Sequence, residues 1–377
     1  MNLKNLSIVV AALAVASVAT WLIKNRDTDH GLDPRTGQPI LDADLIARVA
    51  EVTYTTSGKT ITVSNTASNG SAWVIREYYD LPVDFAKLSR LISSLRDARI
   101  KRFATANPER MERFGFGDVV LTLRDADGNE LWKADFGETT TSGGRYLRYP
   151  GEEKAYIATI SAWFDSSAKN WADAELVKVK PDEVTALEVG FDEGAPLILE
   201  RENEKADWTC QSLAEGEKLK TSQISTLLAR LTGLRFTDTA DPDAEDVLAA
   251  REHARTFKLT TRDGRTYTIA LGRRPAPPSP PAPEPAEGEE APPPPPAPKP
   301  GPVYAFITCS DSTDPINELM KRRAFEIAEY NYTSLPSRRA SLVEAPPPPP
   351  ADGEEVTFKY DGPKSFADAD AEAKYIA

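Results

Sequence analysis

The side chains best able to do chemistry are scarce in this chain. Its 377 residues hold two histidines, His30 and His253, and two cysteines, Cys210 and Cys309. Zinc sites draw mainly on clustered His and Cys ligands, and acid–base catalysis draws on histidine more than on any other group. The histidines stand in different segments, so His30 reads as a solvated linker residue and His253 as exposed in the charged stretch Arg251 to Arg255. Carboxylates are abundant, and a glycan hydrolase would use two of them at a fixed separation. Asp118 and Asp125 are the candidates, but no spacing fixes a pair. The isolated glycines Gly115, Gly117, Gly143 and Gly144 form neither a dinucleotide fingerprint nor a phosphate loop. The expectation is therefore no catalytic residue, no cofactor and no metal. Cys210 and Cys309 both fall in strand-like runs. In an oxidising compartment they are a candidate disulfide pair, while a buried free thiol fits Cys210 equally, since it takes the place of an apolar isoleucine.

Charge narrows the partners. With 45 Lys and Arg against 58 Asp and Glu, the net charge is −13. Binding a phosphate backbone needs clustered cations whose contacts release counterions, so nucleic acid is excluded as a partner. Hydrophobic content of 40% and charged content of 27% are those of a globular chain able to bury a core. The 31 prolines depart from this pattern and crowd late in the chain.

The elements that would position any site are stated twice. Trp73 to Gly137 is echoed by Trp208 to Gly272, with the tryptophans 135 apart, Leu91 and Leu227 136 apart, and the Asp-Gly pairs at Asp127 and Asp263 also 136 apart. Such a register points to internal duplication. In the first copy, Val49 to Tyr54 and Lys59 to Val63 read as strands joined near Ser57-Gly58. A third strand follows at Trp73 and Ile75. Pro82 and Asp84 open a helix whose Phe85, Leu88, Leu91, Ile92 and Leu95 fall on one face, a spacing that core packing explains in full. Val119, Leu121 and Leu123 alternate up to Asp127-Gly128, expected to be a type I′ turn. Trp132, Ala134 and Phe136 return to Gly137, and Arg145 to Tyr149 with Ala155 to Ile160 read as two further strands.

In the second copy, Val184 to Val189 and Pro196 to Arg201 repeat the hairpin, and Trp208 with Cys210 stand for Trp73 and Ile75. Thr221 is the expected N-cap of a helix carrying Ile224, Leu227, Leu228 and Leu231, closed by Gly233. Phe257 and Leu259 lead to Asp263-Gly264, and Tyr267, Ile269 and Leu271 return to Gly272. Pro275 to Pro302 then holds fifteen prolines. Aligning Tyr304 with Tyr156, this segment inserts at, and replaces, the strand that Arg145 to Tyr149 forms in the first copy. Proline lacks the N–H that a sheet needs, so the expectation is an extruded polyproline loop. Its run Pro292, Pro293, Pro294, Pro295 and Pro296 is a candidate interaction loop for an aromatic groove on a partner, against a tolerated surface insertion. Ile316 to Tyr330 reads as one helix with Lys321-Arg322-Arg323 on a solvated turn. Pro346 to Pro350 leads into an acidic tail in which Val356 to Tyr360 is one more candidate strand.

At the N-terminus, Leu6 to Ile23 is uncharged and apolar, and 18 residues at the helical rise span roughly 27 Å, near a bilayer's hydrocarbon thickness. A signal peptide cleaved after Ala19 is the rival reading. Trp21 at the interface and an apolar run that continues past that position favour an uncleaved anchor. The expected localisation is the inner membrane, single-pass, with the bulk of the chain in the periplasm and a bilayer contact through Leu6 to Ile23.

The strand tryptophan, leucine-striped helix, Asn107-Pro108, Phe114-Gly115, closing Gly137 and Tyr146-Leu147-Arg148 strand together resemble the DUF4340 family, a domain of unknown function, in tandem copies. The resemblance covers Val49 to Trp171 well and the second copy more loosely. It implies a membrane-anchored bacterial envelope protein found beside ABC-transporter and gliding-type components, and it brings no catalytic residues. The expected architecture is α+β, with two tandem repeats after a transmembrane helix, each a mainly antiparallel sheet with one packed amphipathic helix. The expected segments are an anchor over 1–24, a linker over 25–47, repeats over 48–175 and 176–345 with the insertion 275–302, and a tail over 346–377. The expected function is a non-catalytic envelope scaffold or adaptor. The alternatives are a small-molecule or glycan binder using the cleft between repeats and, further off, a carboxylate-dependent hydrolase.

Overall fold

The computed structural model describes residues 33–66, 72–278 and 299–346. The expected anchor Leu6 to Ile23, His30, the run Pro292 to Pro296 and the strand expected at Val356 to Tyr360 lie outside the described residues. Among the described residues no helix is long and apolar enough to cross a membrane. The architecture is mixed α and β, with few helices and sheets whose strand pairs are all antiparallel.

A short helix α1 (Ala43–Ile46) leads into strands β1 (Glu51–Thr56) and β2 (Lys59–Asn65). Their two-residue turn has positive φ at both Ser57 and Gly58, the backbone of a type I′ hairpin, whose twist matches that of the strands. Strands β3 (Trp73–Ile75) and β4 (Leu81–Pro82) precede helix α2 (Phe85–Asp97). Asp84 caps α2 by accepting from the Ala86 and Lys87 amides, and the helix buries Leu88, Leu91 and Leu95. Strand β5 (Ile100–Thr105) and helix α3 (Pro108–Met111) lead to β6 (Val119–Arg124), β7 (Glu130–Thr139), β8 (Arg145–Arg148) and β9 (Ala155–Ala158). The nine-stranded sheet runs β4-β3-β2-β1-β6-β7-β8-β9-β5.

The second sheet takes β10 (Val184–Val189) and β11 (Leu197–Glu200). Strand β12 (Lys218–Leu219) and helix α4 (Thr221–Thr232) follow, then β13 (Phe236–Ala240), helix α5 (Glu245–Glu252), β14 (Arg255–Thr261) and β15 (Thr266–Arg273). Strand β16 (Val303–Cys309), helix α6 (Pro315–Arg322), β17 (Ala324–Ile327), helix α7 (Glu329–Thr333) and β18 (Val343–Glu344) complete the described chain. This sheet runs β11-β10-β14-β15-β16-β17-β13, and β12 pairs separately with β18. One continuous core joins both sheets, from Tyr54, Leu121 and Phe136 to Phe257, Ile269 and Phe325. In it the Tyr54 hydroxyl donates to the Asp165 carbonyl at 2.6 Å and accepts from Trp171 Nε1 at 2.6 Å. Burial pushes that hydroxyl above its ordinary range, so the phenol keeps the proton that it donates to Asp165.

Several expectations are corrected. The Asp127-Gly128 and Asp263-Gly264 turns are not type I′, because only Gly128 and Gly264 have positive φ. Both are three-residue loops that place glycine in the left-handed position, closed by Gly128 N–H to Asp125 and Gly264 N–H to Thr261. Strand β7 continues past Gly137 to Thr139. Thr221 is the first residue of α4 rather than its cap, which is Lys220 with no side-chain hydrogen bond. No named strand holds Trp208, and a single bridge joins Thr209 to Glu200. Ile316 to Tyr330 is not one helix but α6, β17 and the start of α7. The proline segment replaces no strand, because β16 pairs with β15 in continuous register from Tyr267↔Cys309 to Arg273↔Val303. The expected linker packs on the first sheet where it is described: Ile40 and Leu41 are buried, and Arg35 pairs with Glu152 at 2.8 Å.

Candidate functional site

The first and second sheets meet at a polar and aromatic joint whose residues lie far apart in the chain. Tyr79 (φ 58°) and Asp80 (φ 51°) form the corner between β3 and β4, both left-handed without being glycine. Each such residue costs roughly 1–3 kcal/mol unless its surroundings over-determine it. Here the second sheet supplies the surroundings. The Arg323 guanidinium lies 3.8 Å from the centre of the Tyr79 ring, and Arg322 Nη2 donates to the Tyr79 carbonyl at 2.6 Å. The Tyr78 hydroxyl donates to Asp238 Oδ1 at 3.0 Å, and Lys169 Nζ reaches Asp238 Oδ2 at 3.0 Å. Beside these, the chain between the sheets adds backbone bonds, from the Leu176 amide to Leu234 and from the Phe236 amide to Ala174.

Two carboxyls at this joint are driven in opposite directions. Burial raises Asp238, but Lys169, the Thr239 amide and the Tyr78 hydroxyl outweigh it, so its carboxyl sits below its ordinary value. Glu326 is pushed up, first by burial and then by the Asp238 charge. A raised carboxyl opposes folding while it is ionised. Its penalty is therefore complete at neutral pH and is relieved as pH falls through its folded value. The lowered Asp238 stabilises above the ordinary carboxylate range, and that contribution is lost as pH falls through its own folded value. Glu326→Gln is thus expected to raise the melting temperature at pH 7. The gain over wild type should vanish in acid below the ordinary glutamate range, as thermal unfolding followed by circular dichroism at the two pH values would show.

The residues singled out in the sequence fall elsewhere. Asp118 accepts the Ser57 amide at 2.8 Å, and Asp125 accepts the Asp127 and Asn129 amides. Both carboxylates hold turns and are not brought together as an acid and base. Cys210 and Cys309 are both free thiols. Cys210 follows the bridge at the β11 edge while Cys309 ends β16, with β10, β14 and β15 between those strands, so the disulfide is not formed. His253 is exposed at the end of α5. Among the described residues no three His, Cys, Asp or Glu side chains are grouped to hold a metal. The joint itself was not singled out, and its one sequence signal is the Tyr78-Tyr79-Asp80 run ahead of Pro82.

Two open grooves complete the surface features. One, of about 610 Å³, runs along α2 and carries Trp163, a residue 82% exposed. The other, of about 570 Å³, lies between α5 and α6 over β16. Neither holds the Asp238 pair.

No curated relative and no solved structure matches the chain. A family model described as "Domain of unknown function (DUF4340)" matches residues 73–253, from β3 through α5. That span takes in the striped helix, the Asn107-Pro108 turn and the Tyr146-Leu147-Arg148 strand that carry the resemblance, and over it the chain matches the DUF4340 family.

Proposed function

We propose that the chain is a non-catalytic scaffold or adaptor of the bacterial envelope, built from two copies of one α+β unit. In this reading it is tethered to the inner membrane through Leu6 to Ile23 with its bulk in the periplasm. It serves as an accessory component of an ABC-transporter or gliding-type machine, as the family resemblance implies. The duplication is supported by strand order. Within the first sheet, β2-β1-β6-β7-β8-β9-β5 follows the same path through the chain as β11-β10-β14-β15-β16-β17-β13 in the second. Gly137 and Gly272 occupy matching places, and both Asp-Gly loops close with the same pair of backbone bonds.

The observation that carries the adaptor reading is the stem of the proline segment. β15 and β16 stay paired up to Arg273↔Val303, and the Gly301 amide then donates to the Arg274 carbonyl at 3.0 Å. The chain leaves and re-enters the sheet at one point, and the pairing of β15 with β16 is unbroken up to it. Polyproline segments bind aromatic grooves at low entropic cost because their backbone is already extended. Replacing 275–300 by a short Gly-Ser turn is expected to leave the fold intact and to remove proteins that co-purify with the full chain from membranes. Unchanged co-purifying proteins would overturn the loop-docking reading.

The alternative of a ligand in the cleft between repeats has less support. Tyr78, Asp238, Tyr79 and Arg323 fill that junction with direct contacts.

A further inference from the structure

The groove between α5 and α6 differs in charge from the other cavities. Those along α2, at the Asp263 loop and beside Lys299 are each lined by both signs. This one is lined by Arg251, Lys321 and Arg323, and among the described residues it has no carboxylate in its lining, in a chain of net charge −13. Arg251 lies 4.8 Å from the centre of the Phe306 ring and makes no ion pair among the described residues. Arg323 is held on Tyr79 and donates to Thr239 Oγ1, so its charge is positioned but not neutralised. Only Lys321 has a carboxylate partner, Glu318 at 2.7 Å, and both of these side chains are about 70% exposed.

The lining also has an apolar part, made by Phe306, Ile307, Met320 and Ala324. Asn317 fixes the adjoining backbone by accepting from the Cys309 amide and donating to the Cys309 and Asp311 carbonyls. Hydroxyls of Thr308, Ser310 and Ser312 lie along the wall, and that of Ser310, which accepts the Thr266 amide, keeps its own proton to donate. A volume of about 570 Å³ is within the range of small-ligand sites. Guanidinium groups recognise carboxylate and phosphate through paired N–H donors, and placing them beside an apolar lining selects an anion with a flat or aliphatic body.

We infer that this groove is a binding site for a small organic anion, one that lays an apolar body on Phe306 and Met320 and presents a carboxylate or phosphate to Arg251, Arg323 and Lys321. The inference is independent of the proline segment and of the adaptor reading. The test is calorimetric titration of the full chain with phenyl phosphate and with benzoate. Benzamidine serves as a cation of the same shape, and phosphatidylglycerol vesicles are a separate arm. The expected result is binding of at least one anion, no binding of benzamidine, and an affinity that falls at least tenfold from 50 to 500 mM salt. Arg251→Gln and Lys321→Glu should each weaken binding about tenfold or more. Lys321→Glu changes an exposed side chain and so keeps the test informative if Arg251→Gln misfolds. Binding confined to the vesicles and lost in both variants would assign the same site to a lipid headgroup. Equal binding of benzamidine and the anions, no binding in any arm, or variants that bind like wild type would overturn the inference.

Discussion

Alanine at Gly272 is expected to destabilise the protein by about 3 kcal/mol, and alanine at Gly137 by a similar amount. A Cβ at Gly272 would lie 2.0 Å from the Ala250 carbonyl oxygen and 2.9 Å from Ala254. At Gly137 it would lie 2.2 Å from the Phe114 carbonyl oxygen and 3.0 Å from Tyr146 Cβ. In both cases the obstacle is backbone, which cannot swing aside as a side chain can. The chain between β13 and β14 rests on β15 as the chain between β5 and β6 rests on β7, and each contact is close only because the strand residue beneath has no side chain. Alanine at Gly264, which meets nothing within 4 Å but has φ +87°, should cost only about 1 kcal/mol through backbone strain. Urea unfolding of the three variants separates these causes, and a loss under 1 kcal/mol at Gly272 would contradict the packing described for α5.

The second large effect is in the helices. Leu95→Ala and Leu231→Ala are each expected to cost about 3 kcal/mol, since both leucines are wholly buried and sit at the same place in α2 and α4. Phe85 shares the leucine stripe by spacing but is 65% exposed, so Phe85→Ala should change stability by less than about 0.5 kcal/mol. If the two leucine variants differed by several kcal/mol, the two helices would not be packed alike.

How far the sequence carried the reading depended on the range of each interaction. The Ser57-Gly58 hairpin, the Asp84 cap and the leucine faces follow from neighbours within a few residues, and the structure has them. The stretch Ile316 to Tyr330 failed for the opposite reason. Its helical spacing is overridden at Ala324–Ile327, where pairing with β13 and β16 buries Ala324, Phe325 and Ile327 and completes the sheet. The proline segment reads as replacing a strand because matching Tyr304 to Tyr156 sets β16 against β9, whereas the strand order sets β16 against β8. The joint was beyond reach altogether. Tyr78 and Asp238 are 160 residues apart, and Arg322 and Tyr79 are 243 apart, so no local pattern announces them. The cations read as a solvated turn, Lys321 to Arg323, likewise gain a role only once α6 is laid beside α5.

In the proposed reading function lies in the difference between two like units, and one transplant tests that directly. The turn equivalent to the proline segment is the one between β7 and β8, closed by the Thr140 amide on the Gly144 carbonyl at 2.9 Å. A chain lacking 275–300 in the second unit but carrying that segment between Thr140 and Gly144 should recover the membrane proteins that co-purify with wild type, as quantitative mass spectrometry of the purified complexes would record. Recovery equal to wild type is the predicted result. Loss of those proteins in the transplant, or their retention in the simple deletion, would contradict it.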